Sequence, residues 1–374
     1  MSLVNIQEIK NYNWPEIYSA IRQGLSYWGG INYFVKPGEK ILLKPNLLSA
    51  RSPEEAVTTH PEFVRSVIKI LKESGAIVLL GDSPGGAIKG VERVWEKTGM
   101  LNLAREENIE LINLETYPKI EVPIDYPAVK TLYLSRIIYD VSGIISLPKL
   151  KTHNLCVLTA AIKNLYGLIP GLRKAEYHKM APLPQDLSRL LLELYQIVRP
   201  KLRLTIVDGI VGMDGDGPSS GRIRPIGIVA IGDEALALDK ELAIFLGLNP
   251  KKIQILKQAE KKFGPIIGKP VGPRPAEPEK FLKPTNWYYF IIPRFLVKFL
   301  GKFIWAKPVI DQKICNACML CVNSCPVKTI KMEPVIKKPK IIDKNCINCL
   351  CCHELCPQKA ISLKKSFLAR FIFR

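Results

Sequence analysis

Nine of the ten cysteines in this 374-residue sequence fall between Cys315 and Cys356. They form two runs of one pattern, C-x2-C-x2-C-x3-C-P. Cys315, Cys318, Cys321 and Cys325 precede Pro326, and Cys346, Cys349, Cys352 and Cys356 precede Pro357, each displaced by 31 residues. Thiolates at this density hold metal. Three on one short loop reach three irons of a cubane, and the fourth, which cannot reach the same cluster, crosses to the other one. The spacing therefore groups Cys315, Cys318, Cys321 and Cys356 around one [4Fe-4S] cluster, and Cys346, Cys349, Cys352 and Cys325 around a second. Zinc is the competing expectation for C-x2-C pairs, and two complete four-cysteine runs count against it. Cys351 stands where the first run has Leu320, so it is expected to pack and not to ligate. His353 is expected to hydrogen-bond locally or face solvent.

Residues 307–364 resemble the two-cluster bacterial-type ferredoxins in this duplicated pattern. Ile330 and Ile361, at equivalent places after each Pro, correspond to the apolar cover over the clusters. The resemblance implies one-electron transfer.

A second set of chemistry-bearing residues lies in the front part, where apolar strands alternate with amphipathic helices. KILLKPNL (Lys40 to Leu47), AIVLLGD (Ala76 to Asp82), GIISLP (Gly143 to Pro148), LRLTIVDG (Leu202 to Gly209) and IGIVAIG (Ile226 to Gly232) are predominantly apolar, with their polar residues gathered mostly at the ends. Strands of this kind are covered on both faces, which predicts a parallel sheet in a doubly wound α/β domain. Lys44 and Asn46 close the first strand and Asp82 the second. Lys149, Lys151 and His153 follow GIISLP in what reads as a loop, and Asp208 closes LTIVD. The carboxyl ends of parallel strands are where such sheets bind ligands.

These positions make Lys151, His153, Asp82, Asp208 and Lys163 the candidate catalytic groups. Lys44, Asn46, Lys149, Asn164, His178 and Asp214 are the candidate ligand-binding groups. So many cations beside few carboxylates suit a small anion. The bland alternatives are helix caps for the two aspartates, a solvated helix face for Lys163 and Asn164, and a loop position for His178. Cys156, in LCVLTAA, is read as core and not as a nucleophile. No G-x-G-x-x-G or Walker A pattern supports a nucleotide.

KPNL (Lys44 to Leu47), TTHPEFV (Thr58 to Val64), GDSPGG (Gly81 to Gly86), LPKLKTH (Leu147 to His153), AAIKNLYGLIPG (Ala160 to Gly171), His178, VDGIVGMDGDGPSSG (Val207 to Gly221) and ALALD (Ala235 to Asp239) together resemble the DUF362 family over residues 40–245. Members often carry a carboxy-terminal pair of [4Fe-4S] motifs. The resemblance implies an iron-sulfur protein of redox type and brings no settled substrate.

Length and composition agree with several domains, since 47% of residues are hydrophobic. The partition runs as an α/β domain (1–264), a Pro-rich linker with a basic amphipathic segment (265–306), a small α+β dicluster ferredoxin-like domain (307–364) and a basic tail (365–374). The amino terminus has no signal-peptide pattern, so a cytoplasmic setting is expected, and there clustered cysteines favour metal over disulfides. Of the net charge of +20, residues 279–374 contribute +13, from 18 Lys and Arg against 5 Asp and Glu. Arg294, Lys298 and Lys302 recur every four residues among aromatic side chains within 286–305, and Arg370 and Arg374 repeat the pattern within 366–374. Both segments suit an anionic surface on the inner face of a membrane. Packing against the first domain or a second subunit, and a true span, are the alternatives. Nucleic acid is disfavoured because the aromatics accompany apolar runs and no nucleic-acid-binding motif is present. The sequence thus leads to an iron-sulfur oxidoreductase or electron-transfer protein. Its two [4Fe-4S] clusters would relay electrons between a redox partner protein and an anionic ligand. A non-catalytic carrier or assembly factor acting on a partner enzyme is the second reading.

Overall fold

The computed structural model describes residues 2–85, 90–171, 173–279, 281–286 and 305–372. The basic stripe Arg294, Lys298 and Lys302, together with Gly86 and Arg374, lies outside them. The α/β part contains β1 (Ser2–Glu8), β2 (Lys40–Pro45), β3 (Ile77–Asp82), β4 (Glu110–Asn113), β5 (Lys119–Pro123), β6 (Thr131–Ser135), β7 (Gly143–Leu147), β8 (Lys149–His153), β9 (Val157–Thr159), β10 (Leu202–Asp214), β11 (Arg222–Gly232) and β12 (Gly268–Val271). The carboxy-terminal part contains β13 (Ala306–Ile310), β14 (Ile330–Glu333), β15 (Lys338–Ile341) and β16 (Ile361–Lys365).

One ten-stranded sheet runs β12-β1-β11-β10-β7-β2-β3-β4, with β8 attached to β10 and β9 to β8. The run from β10 through β7, β2 and β3 to β4 is parallel. Alternate residues of each strand feed opposite cores, as the two-residue period requires. Leu42, Ile144, Val207 and Ile228 pack among the helices Pro184–Val198, Ala235–Phe245 and Gln254–Phe263. Ile41, Leu43, Ile145 and Ile206 pack against Trp14–Leu25, Pro61–Glu73 and Val91–Lys97. Helices therefore cover both faces, which is the doubly wound arrangement. Each of these fully buried aliphatic side chains contributes on the order of 1.5–3 kcal/mol.

The structure departs from the expected parallel sheet in three places. The strand IGIVAIG is antiparallel to LRLTIVDG, because only Gly215 to Gly221 separates β10 from β11, too short for a parallel crossover. Lys149, Lys151 and His153 lie on a strand, β8, which pairs with both β10 and β9. The proline-rich stretch after residue 264 is not wholly a spacer, since β12 continues the sheet beside β1. Pro270 is tolerated there because β12 is an edge strand with a side that needs no N–H.

The carboxy-terminal part folds as two small antiparallel sheets, β13 with β16 and β14 with β15. Two short helices, Leu320–Asn323 and Cys351–Leu355, occupy equivalent places in the two cysteine runs. Among the described residues no helix is long and apolar enough to cross a membrane.

Candidate functional site

The parallel strands end on one edge, so Lys44, Asn46 and Asp82 come to the same side as the start of β8. There Lys44 Nζ lies 2.7 Å from Asp82 Oδ1, and Asp82 also accepts the Leu47 N–H at 2.7 Å. Both groups are buried. Gly167 presses against this pair, and a Cβ at that position would collide with the Asp82 carboxylate and the Lys44 ammonium. Burial lowers the Lys44 pKa, and Asp82 only partly restores it.

Along β8 the two lysines diverge. Lys149 Nζ reaches Asp208 Oδ2 at 2.9 Å and also donates to Tyr12 Oη. Tyr12 Oη donates to Asp208 Oδ1 at 2.8 Å, its ring stacks on His60 at 3.7 Å, and the His60 N–H donates to Asp208 Oδ2. This knot is closed. Burial drives His60 down to about 4, and the same ring caps the helix Pro61–Glu73 by accepting the Glu62 N–H at Nδ1. Lys151, two residues on, instead donates to Asn46 Oδ1 at 2.8 Å and to the Val57 carbonyl at 2.6 Å. A register shift in β8–β10 pairing between Asp208 and Met213 separates the two directions.

Lys151 faces a cavity of about 90 Å3. Its wall includes Lys44, Asn46 and Asp82 from the strand ends, and Lys163 and Asn164 from the short helix Ala161–Asn164. Lys174 and His178 come from the helix Arg173–Met180, so His178 is helical and not in a loop. Three of its four lysines have no carboxylate partner among the described residues. Lys151 is held by neutral oxygens, Lys174 Nζ donates to Ser83 Oγ at 2.7 Å, and Lys163 Nζ stands 4.3 Å from the centre of the Tyr166 ring. Burial is the main cause of low pKa values here, taking Lys151 to about 7 and Lys174 to about 8. Burial, with Lys163 adding, takes His178 to about 3 and His153 well below its ordinary value. Asn164 Nδ2 donates to the Lys44 carbonyl and Ser146 Oγ, which leaves Oδ1 without a protein partner. His178 Nδ1 and Thr159 Oγ1 are likewise buried and unpartnered. Buried polar atoms in folded chains nearly always have partners. Lysines outnumber carboxylates on this wall, and several of its buried polar atoms, Glu354 Oε1 among them, have no hydrogen-bond partner, a set of groups chemically suited to a polar anion.

The cysteines gather around two further cavities. One is lined by Cys315, Cys318, Cys321 and Cys356 with Pro339 and Ile361; the other by Cys325, Cys346, Cys349 and Cys352 with Ile330 and Ile341, and by Cys351 as a fifth cysteine. Each cavity thus has at least the four thiols, under an apolar cover, that suit a cubane. The loops are curled alike, with left-handed backbone at Ala317 and Asn348, Met319 and Leu350, and Lys328 and Lys359, each pair 31 residues apart. Left-handed residues turn successive N–H groups toward one point. Accordingly Ala317, Thr329 and Ala360 donate to Cys315, Cys325 and Cys356 Sγ at 3.3–3.4 Å.

Comparison with known proteins places both parts. Residues 41–243, just over half of the chain, match the family described as domain of unknown function (DUF362). The chain belongs to the DUF362 family. Residues 307–357 match a 4Fe-4S dicluster domain, as expected from the cysteine runs. A relative in Synechocystis sp., the thylakoid-associated protein sll1697, is 33% identical over 262 residues, covering 69% of this chain and 78% of that protein. The lactate racemase apoprotein of Thermoanaerobacterium thermosaccharolyticum aligns at a TM-score of 0.42 and 12% identity, over 65% of this chain and 56% of that one.

The DUF362 domain and the dicluster domain close on each other at the cavity. The helix Cys351–Leu355 contributes Cys351, Glu354 and Leu355 to its wall, with Glu354 Oε1 3.4 Å from His153 Nε2. His153 Nδ1 accepts the Leu155 N–H, so the neutral ring carries its proton on Nε2, toward Glu354. Arg51 donates to the carbonyls of Cys356 and Pro357, and Ser219 Oγ to that of Glu354. His353 is buried in this seam, between the carbonyls of Ile361 and Asp216.

Of the candidates from sequence, Lys44, Asn46, Asp82, Lys151, His153, Lys163, Asn164 and His178 meet in the cavity. Lys149 and Asp208 belong to the adjacent knot. Asp214 stands apart, paired with Arg222 at 2.8 Å and Arg224 at 3.0 Å. Burial works to raise its pKa, and hydrogen bonds from Arg222, the Leu282 N–H and Arg224 overcome that and hold it low. Cys156 sits in the core with its thiol pushed up to about 12 by burial. Lys174, Glu354, Arg51 and Tyr12 were not singled out. A signal existed for Glu354, because the second short helix departs from its repeat at Cys351, His353 and Glu354, opposite Leu320, Val322 and Asn323.

Proposed function

We propose that this chain is an iron-sulfur redox protein in which two [4Fe-4S] clusters exchange electrons with a compact anionic ligand in the DUF362 cavity. Cys315, Cys318, Cys321 and Cys356 would hold one cluster, and Cys346, Cys349, Cys352 and Cys325 the other. The observation that carries this reading is the helix Cys351–Leu355. It bears Cys352 of the second set and also presents Cys351, Glu354 and Leu355 to the cavity. The clusters supply single electrons, and the polypeptide supplies the rest. Lys151, Lys163 and Lys174 attract and orient the anion, with Asn164 Oδ1 accepting from it. Lys151 and Lys174, with pKa values of about 7 and 8, can each hold or release a proton near neutrality. The dicluster domain narrows the cavity by placing Cys351, Glu354 and Leu355 on its wall.

The test uses anaerobic protein with reduced clusters and a panel of small phosphorylated and carboxylated anions. One of them should reoxidise the clusters, seen as loss of the paramagnetic resonance signal, and Lys163→Glu should abolish the effect with iron content unchanged. If none reoxidises the clusters or shifts the melting temperature, the carrier or assembly-factor reading takes its place.

We further propose peripheral attachment to an anionic membrane surface on the cytoplasmic side. The short helix Phe367–Ile372 exposes Phe367, Leu368 and Phe371 beside Arg370, and the Synechocystis relative is named for its association with thylakoids. Deleting residues 367–374 should lower cosedimentation with anionic vesicles, and unchanged cosedimentation would remove this assignment.

A further inference from the structure

The β14–β15 hairpin lies between both cysteine cavities and solvent. Its underside supplies Ile330 and Ile341 to one cavity and Pro339 to the other. Its outer face is assembled against its own stability. In the antiparallel register Lys331 stands directly opposite Lys340, and like charges in such cross-strand pairs repel. Lys337 and Lys338 continue the positive edge, and Glu333, 3.4 Å from Lys340, is the one carboxylate on the two strands. The second small sheet repeats the device, with Lys307 opposite Lys364. Residues 305–372 carry 12 Lys and Arg against 4 Asp and Glu, and one of those four, Glu354, is buried in the cavity wall. At the end of the hairpin beyond these lysines the turn exposes Val335 (88%) and Ile336 (44%). Exposed apolar side chains next to a cluster of charge are a composition found at protein interfaces.

We propose that the outer face of the β14–β15 hairpin docks an acidic one-electron carrier protein. Charge complementarity selects the occupant. A carrier with a negative surface relieves the Lys331–Lys340 repulsion, is steered to this face from a distance, and is seated over the cover of both clusters. One electron leaves the reduced carrier and enters one cubane, and no proton or bond changes partner. The inference rests on the two-cluster reading but not on the cavity ligand, because it concerns how electrons enter the clusters and not where they go.

The experiment measures, anaerobically, the second-order rate at which a reduced acidic [2Fe-2S] ferredoxin reduces the full-length protein. Reduced methyl viologen, a small cation, serves as the reductant that needs no docking. The ferredoxin rate should fall steeply with added salt. It should also drop roughly tenfold or more in Lys331→Glu combined with Lys340→Glu. Lys97→Glu combined with Lys261→Glu, an equal charge change on the α/β domain, should alter it less than roughly twofold. The viologen rate should not fall in any variant. The milder Lys331→Gln with Lys340→Gln keeps the test valid if the glutamate pair does not fold. It should retain or raise the melting temperature, with full iron content, and still slow the ferredoxin. A ferredoxin rate unchanged in the glutamine pair, or slowed as much by the control pair, overturns the proposal. So does a hairpin whose neutralisation abolishes retention on anionic vesicles while leaving the ferredoxin rate intact, since that face would then be a lipid surface.

Discussion

Two buried lysine systems lie side by side at one sheet edge, and they differ in how their polar atoms are satisfied. In the knot of Tyr12, His60, Lys149 and Asp208, the ammonium has a carboxylate and a hydroxyl, and the carboxylate receives Tyr12, Lys149 and the His60 N–H. In the cavity Lys151 and Lys174 rest on neutral oxygens, Lys163 on an aromatic face, and Asn164 Oδ1 and His178 Nδ1 have no protein partner. A closed network ties strands β8 and β10 to the loop at His60 and to the amino-terminal segment. An open one leaves the same kind of residue available to something outside the chain. Residue type alone does not separate scaffold from site; satisfaction does.

The largest effect should follow from opening the closed system. Asp208→Ala leaves the Lys149 ammonium fully buried beside a hydroxyl, and removing one partner of a buried pair costs about 3–5 kcal/mol. Denaturant unfolding of the reconstituted protein should show a loss of that order. Replacing both members, Lys149→Met with Asp208→Leu, should recover most of it, because the burial penalty of both charges disappears with the pair. A double variant as unstable as the single one would mean that the knot is held by Tyr12 and His60 more than by its charges.

The open system should respond the opposite way. Lys151→Met removes a buried ammonium that has no carboxylate to compensate it, so stability should be unchanged or slightly higher. Affinity for the anion that reoxidises the clusters should fall roughly tenfold to a hundredfold, the range of about 1.5–3 kcal/mol for one charge-assisted hydrogen bond. Thermal melting and ligand titration on the same variant decide it. A variant that unfolds easily yet binds normally would assign Lys151 to the scaffold and erase the contrast with Lys149.

Much of this was legible in the sequence, and the failures have local causes. The cysteine runs read directly because ligation fixes their spacing. The strand-end positions of Lys44, Asp82 and Lys151 followed from the apolar length of each strand. β8 read as a loop because Pro148 interrupts the apolar run, and its pairing with β10 and β9 is a tertiary matter. Lys149 and Lys151, two residues apart on one strand, read as equivalent, and only a register shift in the pairing with β10 sends them to different networks. Asp214 reads as a ligand-binding candidate in the sequence, whereas Arg222 and Arg224, eight and ten residues on, fold back onto it across the hairpin, a pairing that only the β10–β11 register reveals. Glu354 escaped because no single-repeat reading connects a cysteine run with strand ends and helices more than 150 residues earlier in the chain.

The smallest effect lies in pH. Lys151 and Lys174 have pKa values of about 7 and 8 in the folded chain, against about 10.4 for an unfolded lysine. Between those limits the unfolded state binds more protons than the folded one, so their contribution to stability rises with pH from about 7 and levels off above about 10. Anion affinity runs the other way, because the ligand needs the ammonium form. It should be greatest below about pH 7 and fall by at most about tenfold per pH unit for each lysine that titrates. The two slopes are therefore opposite in sign over the same window. Lys44 and Lys149 are also lowered by burial and add to the stability slope, so the informative quantity is the difference between wild type and Lys151→Met. In the variant both slopes should be shallower above pH 7, the affinity slope by up to one proton. If the variant kept the wild-type dependence of affinity on pH, the titrating group that governs binding would be Lys174, and the open network would turn on the helix that carries it and not on the strand end.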